Sequence, residues 1–278
     1  MRDAIRRGLA VGFFDGVHLG HQEILRHAAA ALTFREHPLS VIAPERAPRL
    51  LMDTEERLAA IKACGVEKVI ALDFTPELAN MPAEKFIDRY LGEARRDGIM
   101  YCGDNWRFGR GGLGDARLLR ANGINVEVLP YAMHGGERIS STRIRNTLES
   151  GLVEEATAML GRPWSVVGEV FKGKGAGTVL GYPTVNLRPR GMTLNLRRGV
   201  YAVEACGMRG IANYGVAPTF GNKAWVEPVF EVHFLDEPPE IGPDGALRVN
   251  VLSFIRPEMK FSSAEELRRR IADDIGRR

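Results

Sequence analysis

Hydrophobic segments with the length of buried strands alternate with helix-like segments through the first half of the chain. Strands are predicted at residues 9–14, 32–34, 69–73, 99–102 and 126–129. Helices are predicted at residues 20–30, 54–64 and 82–91, with Asp53 or Thr54 able to cap the second and Pro82 in the first turn of the third. This alternation predicts an α/β unit, a parallel sheet with helices on both faces. Ligands of such sheets bind at the carboxyl ends of the strands.

The pattern changes near Ser140. Two short helices are predicted at residues 142–149 and 153–160, and a boundary at residues 161–164. Strands punctuated by glycine and proline then follow, at residues 165–171, 199–204, 210–213, 229–235 and 247–254. Such spacing is typical of a small antiparallel barrel. Ser262 or Ser263, with Glu265 and Glu266, predicts a capped final helix. We expect two domains, residues 1–160 and 161–278.

Composition narrows the class of protein without defining its chemistry. The chain has 278 residues, 45% hydrophobic and 26% charged, as in soluble globular proteins. A net charge of +3 gives no argument for nucleic acid as a main partner. Three separated cysteines form no CxxC pair, which favours a reducing cytoplasm. No stretch reads as a signal peptide or a membrane span.

The first candidate site follows the first predicted strand. There Gly16, His18, Gly20 and His21 precede a helix. Glycines allow close backbone approach, helix amides favour anions, and both histidines can reach one phosphate. Such an arrangement suits attack on the α-phosphate of ATP. A plain turn with two surface histidines is the alternative, and a zinc site would need a third ligand that is not evident nearby.

The second candidate site begins with a loop rich in glycine and lysine at residues 172–178, suited to phosphate. Thr184 and Asn186 follow, and in an extended segment both point to one face. Their oxygens are hard ligands suited to Mg²⁺. Glu231 alternates with Phe230 and Val232 along a later strand, where a carboxylate can accept the proton of a bound alcohol. The alternatives are an ordinary turn and a solvated glutamate.

Both motifs resemble one known family. Four segments resemble the prokaryotic FAD synthetases. They are the string from Gly12 to His21, the Thr33-Phe34…His37-Pro38 turn, the loop at residues 103–109 and the segment at residues 139–145. The run from Leu180 to Leu187 resembles riboflavin kinases, with Val185 where that family has alanine. The resemblance implies a Rossmann-like nucleotidyltransferase domain followed by a riboflavin kinase barrel. It implies a bifunctional enzyme that phosphorylates riboflavin with ATP and adenylylates FMN to FAD, releasing pyrophosphate.

The resemblance also implies roles for individual residues. The catalytic residues would be Glu231, the base for riboflavin, and His18, His21 and Arg143, which would stabilise charge. ATP would contact Gly12, Phe14, Gly20, Ser141, Thr142, Gly173, Lys174, Gly175, Gly177 and Asn213. The flavin would contact Asp104, Trp106, Phe108 and Arg256, and Mg²⁺ would bind Thr184 and Asn186. From residues alone, a glycine-rich hairpin with packed rings is the favoured interpretation of Trp106 and Phe108. Ser141 or Thr142 equally suits a plain helix cap.

One departure from the family pattern affects the first domain. Residues 27–34 leave little room for a loop and a full second strand, which predicts a weakened sheet edge beside the ATP pocket. A riboflavin kinase whose first domain only binds nucleotide or flavin is therefore one alternative. A nucleotide- or RNA-binding barrel protein is another. The expected partners are riboflavin, FMN and ATP, without nucleic acid or membrane, in a monomer or weak homo-oligomer.

Overall fold

The computed structural model describes residues 2–94, 98–173, 181–190, 196–216 and 228–276. The chain divides into two compact units, Met1–Ser141 and Thr142–Arg278. The predicted domain boundary at residues 160 and 161 lies later, and as a functional boundary it stays a prediction. The helix Val153–Leu160 packs against strands of the second unit.

The first unit is built on a five-stranded parallel sheet, as the alternating pattern predicts. Its strands in sheet order are β3 (Lys68–Leu72), β2 (Ala30–Phe34), β1 (Leu9–Val11), β4 (Ile99–Gly103) and β5 (Asn125–Leu129). Because the chain moves outward in opposite directions from β1, the carboxyl ends of β1 and β4 flank a crevice at the sheet's switch point.

Helices cover both faces of this sheet. Their bounds are α1 (Arg2–Arg6), α2 (Leu19–Arg26), α3 (Pro38–Ile42), α4 (Thr54–Ala63), α5 (Pro76–Ala79), α6 (Ala83–Phe86) and α7 (Ala116–Ala121). Leu9 and Val11 face one core with Phe86 and Leu119, while Ala10 faces the other with Leu25 and Ile61. Asp53 caps α4 in a capping box with Glu56. The predicted helix at residues 82–91 continues after α6 as a π-helix, Ile87–Leu91.

The prediction of a weakened sheet edge beside the ATP pocket is wrong. Strand β2 has five residues and pairs with β1 on one side and β3 on the other, so it lies inside the sheet. The α2 helix ends at Arg26, and Gly8 and Ala28 pack closely enough for a short connection. This removes the structural reason for treating the first unit as degenerate.

The second unit contains a closed six-stranded barrel, also as predicted. Two helices precede it, α8 (Ser141–Glu149) and α9 (Val153–Leu160). Its strands in barrel order are β10 (Gly199–Ala205), β11 (Met208–Val216), β12 (Pro228–Phe234), β9 (Val185–Pro189), β8 (Trp164–Phe171) and β13 (Ala246–Pro257). All described pairings between them are antiparallel.

Three elements complete the description. A small hairpin of β6 (Met133–His134) and β7 (Glu137–Arg138) lies at the end of the first unit. The final helix, α10 (Ala264–Gly276), begins after Ser263, whose hydroxyl accepts from the Glu266 N–H at 3.1 Å. Among the helices of the described residues, none is long and apolar enough to cross a membrane.

Candidate active sites

The turn after β1 carries the first motif at the switch point of the sheet. Asp15–Val17 form a single 3₁₀ turn between β1 and α2. Phe14 and Val17 have φ values of 60° and 40°, in the left-handed region that non-glycine residues seldom adopt. The Asp15 carboxylate accepts from the Leu51 N–H at 3.0 Å, which ties the turn to the rest of the unit. The chain is thus held in a strained shape where nucleotides bind in such sheets.

His18 and His21 lie together at the start of α2. Their rings stack with centroids 3.6 Å apart, and His18 Nδ1 accepts from the His21 backbone N–H at 3.3 Å. The neutral His18 ring therefore carries its proton on Nε2. Burial, then the neighbouring His18 and Arg138, hold the pKa of His21 well below its usual range. His21 can consequently act as a neutral hydrogen-bond donor rather than as a cation, and His18 can donate from Nε2.

Small residues allow this cluster to pack. A Cβ atom on Gly20 would lie 3.3 Å from the His18 ring, and one on Gly12 would lie 2.9 Å from the Phe14 ring. Phe14 in turn meets His21 edge-on, with centroids 5.4 Å apart. His21 Nδ1 is shielded from solvent and has no hydrogen-bond partner among the described residues. A buried, unpaired ring nitrogen indicates a place where a ligand completes the hydrogen bonding.

The second nucleotide motif meets the first through Ser141. Its hydroxyl donates to the Asp15 carbonyl at 2.9 Å, and α8 begins at this residue, so Ser141 and Thr142 lie within the helix instead of at its cap. Arg143 forms an ion pair with Glu155 at 3.0 Å. Thr142 Oγ1 accepts from Arg145 at 3.3 Å. Ser141 therefore joins the turn directly, whereas the Arg143 guanidinium is paired with the Glu155 carboxylate within the second unit.

The loop after β4 carries three predicted flavin residues, which differ in how deeply they are buried. Phe108 is buried, packs against Phe86 and lies so close to Gly114 that a Cβ there would stand 2.6 Å from its ring. Trp106 stacks on Phe108 with centroids 4.7 Å apart and is half-buried. Asp104 is exposed and accepts from the Tyr131 hydroxyl at 3.3 Å. Phe108 matches the packed-hairpin alternative, which leaves Trp106 and Asp104 able to meet a ligand.

A cavity of about 540 Å³ lies on the outer face of the barrel. Thr184, Asn213, Glu231 and Arg256, four of the predicted site residues, line it. Strand register explains the grouping: Glu231 stands opposite Asn213 on one neighbouring strand and opposite Asn186 on the other. Residues paired in this way share a face of the sheet. The structure therefore brings the predicted base and the predicted metal ligands to one place.

Glu231 lines this cavity in surroundings that raise its pKa. Partial burial raises its pKa above the usual value for a glutamate, although solvent still reaches the side chain through the cavity. Among the described residues, no neighbouring cation lowers this pKa in return. A raised pKa strengthens a carboxylate as a proton acceptor.

Asn186 and Thr184 provide oxygen atoms suited to a divalent cation. Asn186 is buried, and a Cβ on Gly173 would lie 2.3 Å from its Nδ2 and 2.9 Å from its Oδ1. This glycine leaves a space against the amide that a side chain would fill. The described residues hold no cluster of three His, Cys, Asp or Glu able to bind a metal. The oxygen atoms of Thr184 and Asn186 therefore fit a Mg²⁺ ion shared with nucleotide phosphates, since Mg²⁺ seldom binds in an all-protein cage. Lys174, Gly175 and Gly177 lie outside the described residues.

Residues of the C-terminal segment also line the cavity, and of these the sequence analysis assigned only Arg256 to the site. Phe261, Leu267 and Ile271 line it, together with Arg256 and Asp274. Asp274 accepts from Arg256 Nε and Nη2 at 2.9 and 2.7 Å, and both side chains are buried. The spacing of Leu267, Ile271 and Asp274 places them on one helix face, which was the available sequence signal.

Comparisons with known proteins agree with this division. Residues 2–143 match the family model of FAD synthetase, and residues 160–278 match that of riboflavin kinase. The bifunctional riboflavin kinase/FMN adenylyltransferase of Escherichia coli (strain K12) is 33% identical over 96% of this chain and 90% of its own. The protein of the same name from Bacillus subtilis (strain 168) is 30% identical over 96% and 89%.

A solved structure is also similar. The crystal structure of a macrolide-efflux protein from Streptococcus pneumoniae has a TM-score of 0.83 and 32% identity, covering 97% of this chain and 92% of that one. The two family models, taken with relatives that match over nearly the full length, show where this chain belongs. It is a member of the bifunctional riboflavin kinase/FMN adenylyltransferase family, with an FAD synthetase domain followed by a riboflavin kinase domain.

Proposed function

We propose that the two reactions of this family take place at two separate sites of this chain. The enzyme phosphorylates riboflavin to FMN with ATP and adenylylates FMN to FAD with release of pyrophosphate. The barrel cavity would carry the first reaction, and the turn after β1 with the loop after β4 would carry the second. ATP is the co-substrate of both.

In the kinase reaction, Glu231 accepts the proton of the riboflavin 5′-hydroxyl as that oxygen attacks the γ-phosphate of ATP. The apolar wall of Phe261, Leu267 and Ile271 suits the flat flavin ring, with Arg256 at its edge. Thr184 and Asn186 would hold Mg²⁺, which supplies positive charge to the phosphates when bound. Gly173 and Asn213 border the phosphate side, and the roles of Lys174, Gly175 and Gly177 there remain predictions from sequence.

In the adenylyl transfer, a phosphate oxygen of FMN attacks the α-phosphate of ATP and pyrophosphate leaves. His18 and His21 donate neutral hydrogen bonds to the phosphates, and the α2 amides add their partial positive charge. Gly12, Phe14 and Gly20 shape the turn, Ser141 donates to its Asp15 carbonyl, and Thr142 would contact ATP beside Ser141. Arg143 would contribute charge at the same phosphates, and Asp104 and Trp106, supported by Phe108, would contact the flavin.

One observation carries the kinase assignment. Glu231 lines the same cavity as Thr184 and pairs in register with Asn186. The test is to incubate the purified chain with riboflavin, ATP and Mg²⁺, and separately with FMN, ATP and Mg²⁺, and to separate the flavins by chromatography. We expect FMN and FAD in the first mixture and FAD in the second. FMN without FAD would favour the kinase-only alternative.

A salt-sensitive complex with single-stranded RNA, in the absence of any flavin turnover, would favour the nucleic-acid-binding alternative. The location in the cytoplasm, the monomeric or weakly oligomeric state and the absence of a nucleic-acid partner remain predictions from sequence.

A further inference from the structure

Arg57 is a fully buried arginine at the carboxyl edge of the parallel sheet. It lies on α4, and its side chain reaches the points where β1 and β2 end. Its Nη1 donates to the Phe13 carbonyl and to Thr33 Oγ1, both at 2.9 Å. Its Nη2 donates to the carbonyls of Phe34 and Arg35, both at 2.8 Å. One guanidinium thus fixes the end of β1 relative to the end of β2.

The charge of Arg57 is not neutralised by direct contact. Its four acceptors are carbonyl and hydroxyl oxygens, and among the described residues it forms no ion pair with a carboxylate. The ring of Phe13 covers the guanidinium at 4.1 Å. Burial lowers the pKa of Arg57 to about 10, which still leaves it protonated at neutral pH. A buried cation of this kind has a stronger field than an exposed one, because little water screens it.

The segment that Arg57 fixes leads directly into the strained turn. Phe14 and Val17 keep positive φ values, and such a backbone persists only where its surroundings hold it. The described peptide bonds are trans, so the Phe14 N–H points opposite to the Phe13 carbonyl. With that carbonyl bound to Arg57, the N–H faces away from the guanidinium.

We propose that Arg57 is a positioning residue of the adenylyltransferase site. It holds the peptide after Phe13 in the orientation that presents its N–H to the nucleotide, and it places a fixed positive charge behind the phosphate-binding turn. The inference rests on the proposed role of His18 and His21 in binding ATP. Arg57 itself touches no substrate, because its hydrogen bonds are all made within the protein.

The test compares three variants in the FAD-forming assay with supplied FMN. Arg57→Met removes the charge and all four hydrogen bonds, and Arg57→Lys keeps the charge but cannot bridge four acceptors. Ile61→Ala is the matched control: it lies one turn further along α4, is fully buried and is expected to destabilise the unit through a cavity. Assays are run well below the unfolding temperature of each protein, which circular dichroism measures first.

We expect the KM for ATP to rise about 10- to 100-fold in Arg57→Met, the range for losing hydrogen bonds to a charged group, and less in Arg57→Lys. Ile61→Ala should lower the unfolding temperature while leaving this KM within twofold. FMN formation from riboflavin should be unchanged in all three.

An unchanged KM in both Arg57 variants would overturn the proposal, as would an equal KM rise in Ile61→Ala. If Arg57→Met does not fold, the KM for ATP of Arg57→Lys is compared with that of Ile61→Ala. An unchanged KM in Arg57→Lys, or an equal rise in both variants, would then overturn the proposal. Absence of FAD from the wild-type protein would instead contradict the proposed function, and the role of Arg57 in it would fail with it.

Discussion

Asn186 and Glu231 stand directly opposite each other on the antiparallel strands β9 and β12. Opposed residues of such a pair have Cβ atoms about 4.5–5.5 Å apart. Val232 and Leu187, their sequence neighbours, are fully buried on the inner face of the barrel. Because a slip of one residue would exchange inner and outer faces, the hydrophobic interior fixes the outward position of Glu231. The barrel core therefore determines the geometry of the proposed kinase site.

Gly173 provides a test of the Asn186 position. In Gly173→Ala the new Cβ would stand 2.3 Å from Asn186 Nδ2, so the amide must move. We expect the rate of riboflavin phosphorylation to fall about 100-fold, because a displacement of about 1 Å at a catalytic site can lower the rate by that factor. The Mg²⁺ concentration for half-maximal activity should also rise. Kinetics at varied Mg²⁺ measure both effects.

The control for this change is Gly276→Ala at the end of α10, where an added Cβ would meet no atom within 4 Å among the described residues outside its own stretch of helix. It should leave both activities unchanged. Normal kinase activity with an unchanged Mg²⁺ requirement in Gly173→Ala would remove Asn186 from the metal site.

Asp274 should determine whether the cavity keeps its helical wall. Asp274→Asn breaks a buried ion pair with Arg256, and Arg270 lies 3.4 Å from the same carboxylate. Leaving such an arginine unpaired costs about 3–5 kcal/mol of unfolding free energy. We expect a higher KM for riboflavin with a smaller change in kcat. The exposed neighbour Asp273 offers the matched control Asp273→Asn, and equal effects of both variants would contradict the ion-pair argument.

His21 predicts how the first unit responds to acid. Its pKa is lowered in the folded chain, so the unfolded chain binds the proton more readily. Its contribution to stability is present above the unfolded value near 6.5 and is lost as the pH falls toward the folded pKa. Urea unfolding at a series of pH values should show this loss in the wild type and less of it in His21→Gln. The exposed His27→Gln is the control, and an identical pH profile for His21→Gln and the wild type would contradict a buried neutral imidazole.

Trp106 should affect the second reaction alone. It is half-buried and stacks on buried Phe108, and an aromatic platform for a flavin is worth about 1 kcal/mol or more. Trp106→Ala is expected to raise the KM for FMN by about tenfold without altering riboflavin phosphorylation. Tyr90→Ala, which removes another half-buried ring packed on Phe86, controls for general loosening of this core. Equal KM values for wild type and Trp106→Ala would exclude Trp106 from the flavin site.

Most of the fold could be predicted from the sequence, because helix caps and strand alternation depend on residues that are close together in the chain. The capping box at Asp53 and the outward alternation of Glu231 with Phe230 are examples, and both are present in the structure. The site residues missed were those whose contacts join distant segments. In the sequence, Arg57 is indistinguishable from an exposed helix arginine, because its four oxygen partners come from the segments where β1 and β2 end. The role of Asp274 likewise depends on Arg256, which is distant in the sequence.

The error over β2 has a similar cause. A short stretch between helix and strand looked like a deletion, but the close packing of Gly8 against Ala28 allows a direct connection and leaves a full strand. Phe14 shows the converse case: its positive φ is held by the surroundings of the turn, which no local propensity indicates.

Two separate sites are proposed to carry the two reactions, with Glu231 acting only in the first. The most direct measurement is chromatographic rates of FMN formation from riboflavin and of FAD formation from supplied FMN, in Glu231→Gln and in the control Glu169→Gln on β8. We predict that Glu231→Gln loses about 10²–10⁴-fold in FMN formation, the range for a general base, with FAD formation unchanged. Equal losses in both reactions, or full retention of FMN formation, would contradict the account.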